Sequence, residues 1–154
     1  MKKILTIIII FLSTSVLSAN ERDAKLDKLF MELKTNITSS SPMIAQQIWS
    51  LWSTHPTDEK LTSILDEGSR LVQDRQLARA INVFTEVIKL DPTWAEAWNK
   101  RATVFYMVGE FKRSQDDIDK VLELEKRHFG ALAGQGMVNI QLRNYDKAKR
   151  SYQK

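Results

Sequence analysis

From residue 61 onward the apolar positions repeat on two scales. Within a helix-length stretch they fall three and four residues apart, the spacing of one face of an α-helix. Over longer distances the whole pattern returns every 34 residues. In residues 95–128, Trp98, Ala102 and Phe105 stand at i, i+4 and i+7, so they share a face. Gly109-Glu110 interrupts the run, and Ser114, Ile118, Val121 and Leu122 restart it. The spacing predicts two helices per unit joined by a tight turn. Asp91-Pro92 ends the preceding helix, because a residue before proline is pushed out of the helical region. Thr93-Trp94-Ala95-Glu96 reads as a capping box that starts the next helix at about residue 94.

Shifting the chain by 34 aligns like with like. Ile64, Trp98 and Leu132 fall in register, as do Leu77, Phe111 and Tyr145, and Phe84, Ile118 and Tyr152. Gly68, Ala102 and Gly136 form a small-residue column, and Ala80, Ser114 and Ala148 form another. Val87 matches Val121, and Leu90 matches Leu124. One hairpin cannot bury its own apolar face, whereas stacked copies can. Trp98, Phe105 and Phe111 are therefore expected to pack between helices. Small residues let two backbones approach while large ones fill the space beside them.

The stretch "AEAWNKRATVFYMVGEFKRSQDDIDKVLEL" resembles the tetratricopeptide repeat family. The resemblance covers residues 61–94, 95–128 and a partial third unit, 129–154. Lys126 stands where the family often has Pro, Asn139 replaces the usual aromatic, and Ser114 the usual Ala. The resemblance implies an all-α, helical-hairpin solenoid. It also implies a protein–protein interaction module, a scaffold or assembly adaptor that holds a peptide or helix in a concave groove, with no enzymatic activity of its own. A non-catalytic part of a larger enzyme complex is the alternative. "RHFGALAGQGM" is also similar to exported tetratricopeptide proteins of Gram-negative bacteria.

The face of each first helix left free by the packing residues is a candidate groove. Leu65, Ser69, Val72 and Gln73 line it in the first unit, Asn99, Thr103, Tyr106 and Met107 in the second, and Ala133, Met137, Ile140 and Gln141 in the third. Val72, Asn99, Thr103, Tyr106, Met107, Met137 and Ile140 are the candidate peptide-binding residues, an apolar and adaptable set. Packing of Tyr106 and Met137 between units is the competing reading. Family members that grip a terminal carboxylate use Lys, Asn and Arg here; this stripe offers Asn99 alone, so no carboxylate clamp is expected. Arg101 and Asp117 each lie eight residues from Gly109. An antiparallel hairpin brings such positions side by side, and an ion pair between them is expected.

Residues 20–58 read as a degenerate helical hairpin capping the first repeat. "KLDKLFMEL" puts Leu26, Leu29, Phe30 and Leu33 on one face. Ser41-Pro42 signals the next helix start, and "MIAQQIWSLW" supplies Ile44, Ile48, Trp49, Leu51 and Trp52. Core packing is the favoured role of the two tryptophans, with partner binding as the alternative. Residues 1–19 differ from everything after them. A basic "MKK", the apolar "ILTIIIIFL" and small residues ending at Ala19 make the three-part pattern of a secretory signal peptide, which implies a periplasmic location. Its apolar run, Ile4 to Leu17, is shorter than the about 20 residues a spanning helix needs, although an uncleaved anchor is the alternative. The chain reaches Lys154 inside a helix, which suggests a fragment of a longer array or a covering partner.

Charge narrows the function. The chain has 23 Lys and Arg against 19 Asp and Glu. Removing residues 1–19 removes Lys2 and Lys3 and no acid, leaving 21 − 19 = +2. That interspersed balance is no footprint for nucleic acid. There is no Cys, so stability rests on packing without disulfides. Asn36-Ile37-Thr38 matches a glycan acceptor weakly. The two histidines, His55 and His128, read as solvated turn residues with no metal or catalytic role. Asp116, Asp119 and Glu123 read as a solvated face paired with Lys120. Gly130, Gly134 and Gly136 form no dinucleotide loop, since no strand precedes them. No cofactor is expected.

Overall fold

The computed structural model describes residues 20–35 and 40–153. The expected signal segment, 1–19, and the acceptor triplet at 36–38 lie outside them. Among the described residues every regular element is an α-helix: α1 (20–35), α2 (Ser41–Ser53), α3 (Glu59–Gln73), α4 (Leu77–Leu90), α5 (Ala95–Met107), α6 (Phe111–Leu124), α7 (Phe129–Gln141) and α8 (Tyr145–Ser151). Two compact units divide at Thr62/Ser63, within α3.

In the first unit, α1 and α2 lie side by side. Leu26, Leu29, Ile44, Ile48 and Trp52 are buried. The Phe30 and Trp52 rings are 5.9 Å apart, and Trp49 meets Trp52 edge-on at 5.5 Å. Arg22 Nε donates to the Leu51 carbonyl at 3.2 Å. Trp52 is thus a core residue, closed to a partner. Ser40, not Ser41, occupies the cap position of α2, with no side-chain cap bond. His55 is not a solvated turn residue. It is buried, and its Nδ1 accepts from the backbone N–H groups of Asp58 at 3.0 Å and Thr57 at 3.3 Å.

The second unit stacks three helical hairpins, α3–α4, α5–α6 and α7–α8. The turn inside each hairpin is the same object. The amides of Gln76, Glu110 and Asn144 donate to the carbonyls of Leu71, Phe105 and Asn139 at 2.8, 2.9 and 2.7 Å, and those of Arg75, Gly109 and Arg143 to Val72, Tyr106 and Ile140. This paired pattern satisfies carbonyls orphaned at a helix C-terminus, and it needs a left-handed residue. Arg75, Gly109 and Arg143 supply it, with φ of 59°, 80° and 59°; they are 34 apart. Only the middle repeat uses the residue that adopts this region freely. Arg75→Gly and Arg143→Gly are each expected to raise stability by roughly 0.5–1 kcal/mol, the left-handed penalty less glycine's added chain entropy. Urea denaturation with an unchanged m-value would report it, and a loss of stability would refute the turn assignment.

Between hairpins, Asp91 and Glu125 hold equivalent junctions. Their side chains accept from the amides of Thr93 and Arg127 at 2.8 and 2.9 Å. Burial acts to raise the Glu125 pKa, but hydrogen bonds from the Arg127 side chain and backbone, with the Arg127 and His128 charges, hold it below the ordinary value. The expected capping box does not form. α5 starts at Ala95, Trp94 caps it without a side-chain bond, and the Thr93 hydroxyl donates to Asp91 at 2.6 Å. Glu96 instead turns inward, because a buried partner waits there. His128 is fully buried, contrary to the solvated reading. Its Nδ1 accepts from the Ala131 amide at 3.1 Å, capping α7. Its Nε2–H is then free to donate to Glu96 Oε2 at 3.0 Å. Asn99 Nδ2 donates to the same oxygen at 3.0 Å. Lys100 Nζ lies 3.4 Å from Oε1.

The small-residue column is a packing rule. A Cβ on Gly68 would collide with the Phe84 ring, and one on Gly136 with the Tyr152 ring. Ala102 is tolerated because Ile118, in the same cluster, is thinner than a ring. A polar trio also repeats. Arg101 grips Asp117 with two bonds of 2.8 Å, as expected, and reaches back to Thr85 Oγ1 at 3.0 Å. Its guanidinium lies 5.1 Å from the Trp98 ring centre. Thirty-four residues on, Gln135 accepts from Ser151 at 2.8 Å and donates to Asp119 at 3.4 Å. Asn139, in the aromatic column, joins this set by donating to Gln115 at 2.7 Å. Lys120 pairs with Glu123 at 2.9 Å, three residues on.

Candidate peptide groove

A pocket of about 160 Å³ opens between α5, α6 and α7. Asn99, Thr103 and Tyr106 of α5 and Ala133 and Met137 of α7, all expected from the sequence, line it. Its floor is Ala102, Ser114, Ile118 and Val138. Tyr106 is half-buried, packs on Phe111 of its own hairpin at 5.5 Å and walls the pocket. Met107 and Ile140 are exposed and lie outside this lining. Val72 is half-buried on α3 and is not part of it either. Leu65 is a correction: it is fully buried, a core residue with no groove face.

The polar groups of the lining are spent on the fold. Asn99 donates to Glu96, Thr103 Oγ1 to the Asn99 carbonyl at 3.0 Å, and Ser114 Oγ to the Ala102 carbonyl at 2.8 Å. What faces the pocket is mainly apolar, from the Tyr106 ring, Met137 and Ile118, with Gly130 and Gly134 adding no side chain. These two glycines were missed as site residues. They stand at i, i+4 on α7, and that helical spacing was the available signal. A Cβ on Gly134 would lie 3.4 Å from Ile118, so glycine here keeps the slot open. Exposed apolar residues concentrate at the C-terminal ends of α5 and α7. Met107, Val108, Met137, Ile140 and Leu142 make up half of the ten large apolar side chains exposed among the described residues. Such a concentration marks an interaction surface better than scattered apolar residues do.

No family model matches the chain. A TPR repeat-containing protein of Rhizobium etli is 31% identical over 115 residues, 74% of this chain and 56% of that protein. The chain thus spans about half the length of that relative. Among solved structures, the first TPR of Spaghetti (RPAP3), bound to the HSP90 peptide SRMEEVD, superposes with a TM-score of 0.60 at 19% identity, covering 62% of this chain and 75% of that one. The MamA protein superposes with a TM-score of 0.58 at 16% identity over 90% of this chain and 74% of that one. At these identities the two structures speak for the fold. Joined with the 34-residue register and the repeated turn, these likenesses identify a tetratricopeptide-type helical-hairpin solenoid, similar in sequence to the Rhizobium TPR repeat-containing protein.

Proposed function

We propose that this protein is an interaction module that holds an apolar peptide or helix of another protein between α5 and α7. The carrying observation is the open slot lined by Tyr106, Met137 and two glycines, whose polar neighbours are already hydrogen-bonded within the fold. A slot of about 160 Å³ is of the size that accepts one benzene-sized group in a protein interior. One Leu, Met or Phe side chain is then the natural anchor. The neighbouring TPR of Spaghetti holds a peptide, which favours the same class of ligand here. No catalytic role is proposed, since Nδ1 of each of the two histidines is committed to backbone amides. A photo-crosslinking residue at Met137 is expected to capture a partner in intact cells, whereas one at the exposed Glu86 of α4 is not. Equal capture at both sites would sink the groove reading.

We propose also that residues 1–19 direct export to the periplasm. The basic start, apolar run and small residues before Asn20 support this. The mature chain should then begin at Asn20 by mass spectrometry and fractionate with the periplasm; an intact Met1 with cytosolic fractionation would refute it.

A further inference from the structure

The third repeat departs from the second at its turn edge, and the departure is electrostatic. Residues 109–116 carry two bases, Lys112 and Arg113, and two acids, Glu110 and Asp116. The equivalent residues 143–150 carry four bases, Arg143, Lys147, Lys149 and Arg150, and one acid, Asp146, a balance of 4 − 1 = +3. Arg113 is held by Glu110 at 2.7 Å and lies 3.9 Å from the Phe105 ring centre. At its equivalent, Lys147, both supports have been replaced: Glu110 by Asn144 and Phe105 by Asn139. Asp116 has become Arg150. Among the described residues Lys112, Arg143, Lys147 and Arg150 close no ion pair.

This edge adjoins the apolar slot. Arg143, Lys147 and Arg150 line one shallow hollow with Asp146, and Lys112 and Leu142 line another with Glu110 and Arg113; Leu142 and Arg143 are consecutive in the chain. Phe111 of the second hollow stacks on Tyr106 of the slot at 5.5 Å. α7, between slot and edge, has no charged residue in its thirteen. The surface therefore passes from a neutral, apolar slot to an edge on which cations outnumber the acids Glu110 and Asp146.

We propose that the segment bound in the groove is an apolar anchor flanked by acidic side chains, which lie on Lys112, Arg143, Lys147 and Arg150. This rests on the groove reading and names its ligand. Charge complementarity selects the acids, since unpaired cations on one side of a site steer and register an anionic partner. The same charge disfavours a second copy of this chain, whose own basic edge would be repelled. A nucleic acid or anionic lipid would satisfy the edge but leave the apolar slot empty, so the two surfaces together favour a peptide.

The test is selection of a displayed library of random peptides, about twelve residues long, on the full chain. The selected pool should be enriched in one large apolar residue followed by Asp or Glu. A synthetic peptide from that pool should bind Lys112→Glu/Arg150→Glu about tenfold more weakly, and lose affinity as salt rises. Both positions are exposed, and circular dichroism checks the fold. Ala133→Trp, at an exposed lining position, should block the slot and abolish binding. A pool without acidic enrichment, or one bound within twofold by the charge-reversed variant, overturns the acidic ligand, while its loss on Ala133→Trp leaves the groove standing. Binding that survives Ala133→Trp, or no selectable peptide, overturns both. A 20-nucleotide RNA or a phosphatidylserine vesicle that binds the parent more tightly than the selected peptide does, and binds Ala133→Trp equally well, assigns the edge to a polyanion and overturns the proposal.

Discussion

Arg101→Met is expected to lower stability by about 3 kcal/mol, because it strands a buried carboxylate. Asp117 receives both of its short bonds from Arg101 and is almost wholly buried, at 6% side-chain exposure. Without the guanidinium it either stays charged without compensation or takes up a proton. The same change also removes the bond to Thr85 on α4 and the stacking on Trp98, so it loosens two hairpins at once. For a chain of 154 residues a loss of that order lowers Tm by roughly 6–12 °C. Asp117→Leu alone should cost less, since Arg101 keeps 15% side-chain exposure and can turn its charge toward water. The double change should recover most of the loss, apolar replacement of a buried pair being often neutral. A thermal-melt double-mutant cycle decides the matter: additive single effects would show that the pair is not coupled.

Gly68→Ala is expected to destabilise by about 2 kcal/mol, although in an exposed helix the same change stabilises by about 1 kcal/mol. The new methyl has no room. Phe84 is fully buried and its ring occupies the space a Cβ would take, so either the ring leaves its rotamer or the helices separate. The second repeat has already solved the problem with Ala102 beneath Ile118. Gly68→Ala combined with Phe84→Ile should therefore recover stability to near the parent. If the single change is neutral in urea denaturation, or the pair is no better than Gly68→Ala alone, the column is not a close-contact rule.

The large-residue columns were legible because solenoid packing is nearest-neighbour. Every repeat makes the same contacts, so the sequence writes the same sizes at the same places. Trp98, Phe105 and Phe111 could be assigned to packing without knowing where the neighbouring hairpin lay. The Arg101–Asp117 pair followed from counting outward from Gly109. Five of the candidate groove residues line the slot or its second helix wall together for the same reason of register. The turn column at 75, 109 and 143 was equally present in the register. It was hidden because two of its three members are Arg, a residue type that gives no hint of a left-handed backbone.

Other features were decided by burial. Thr93 to Glu96 satisfies the capping-box pattern locally, but a local hydrogen bond yields to a buried one. Glu96 reaches His128, thirty-two residues away, and no local pattern contains that partner. Leu65 shares the helical face of Ser69 and Val72, yet it is fully buried, since the width of a groove depends on how far the next helix stands off. The slot stays open where Gly134 faces Ile118 of α6, and glycine's missing side chain has no meaning until something stands opposite it. Periodicity alone determined the helices, their pairing and the stacking residues, because those follow from repeat spacing. Which polar groups lie buried, and where an opening remains, were decided by tertiary structure, because both depend on what the neighbouring helix places across the gap.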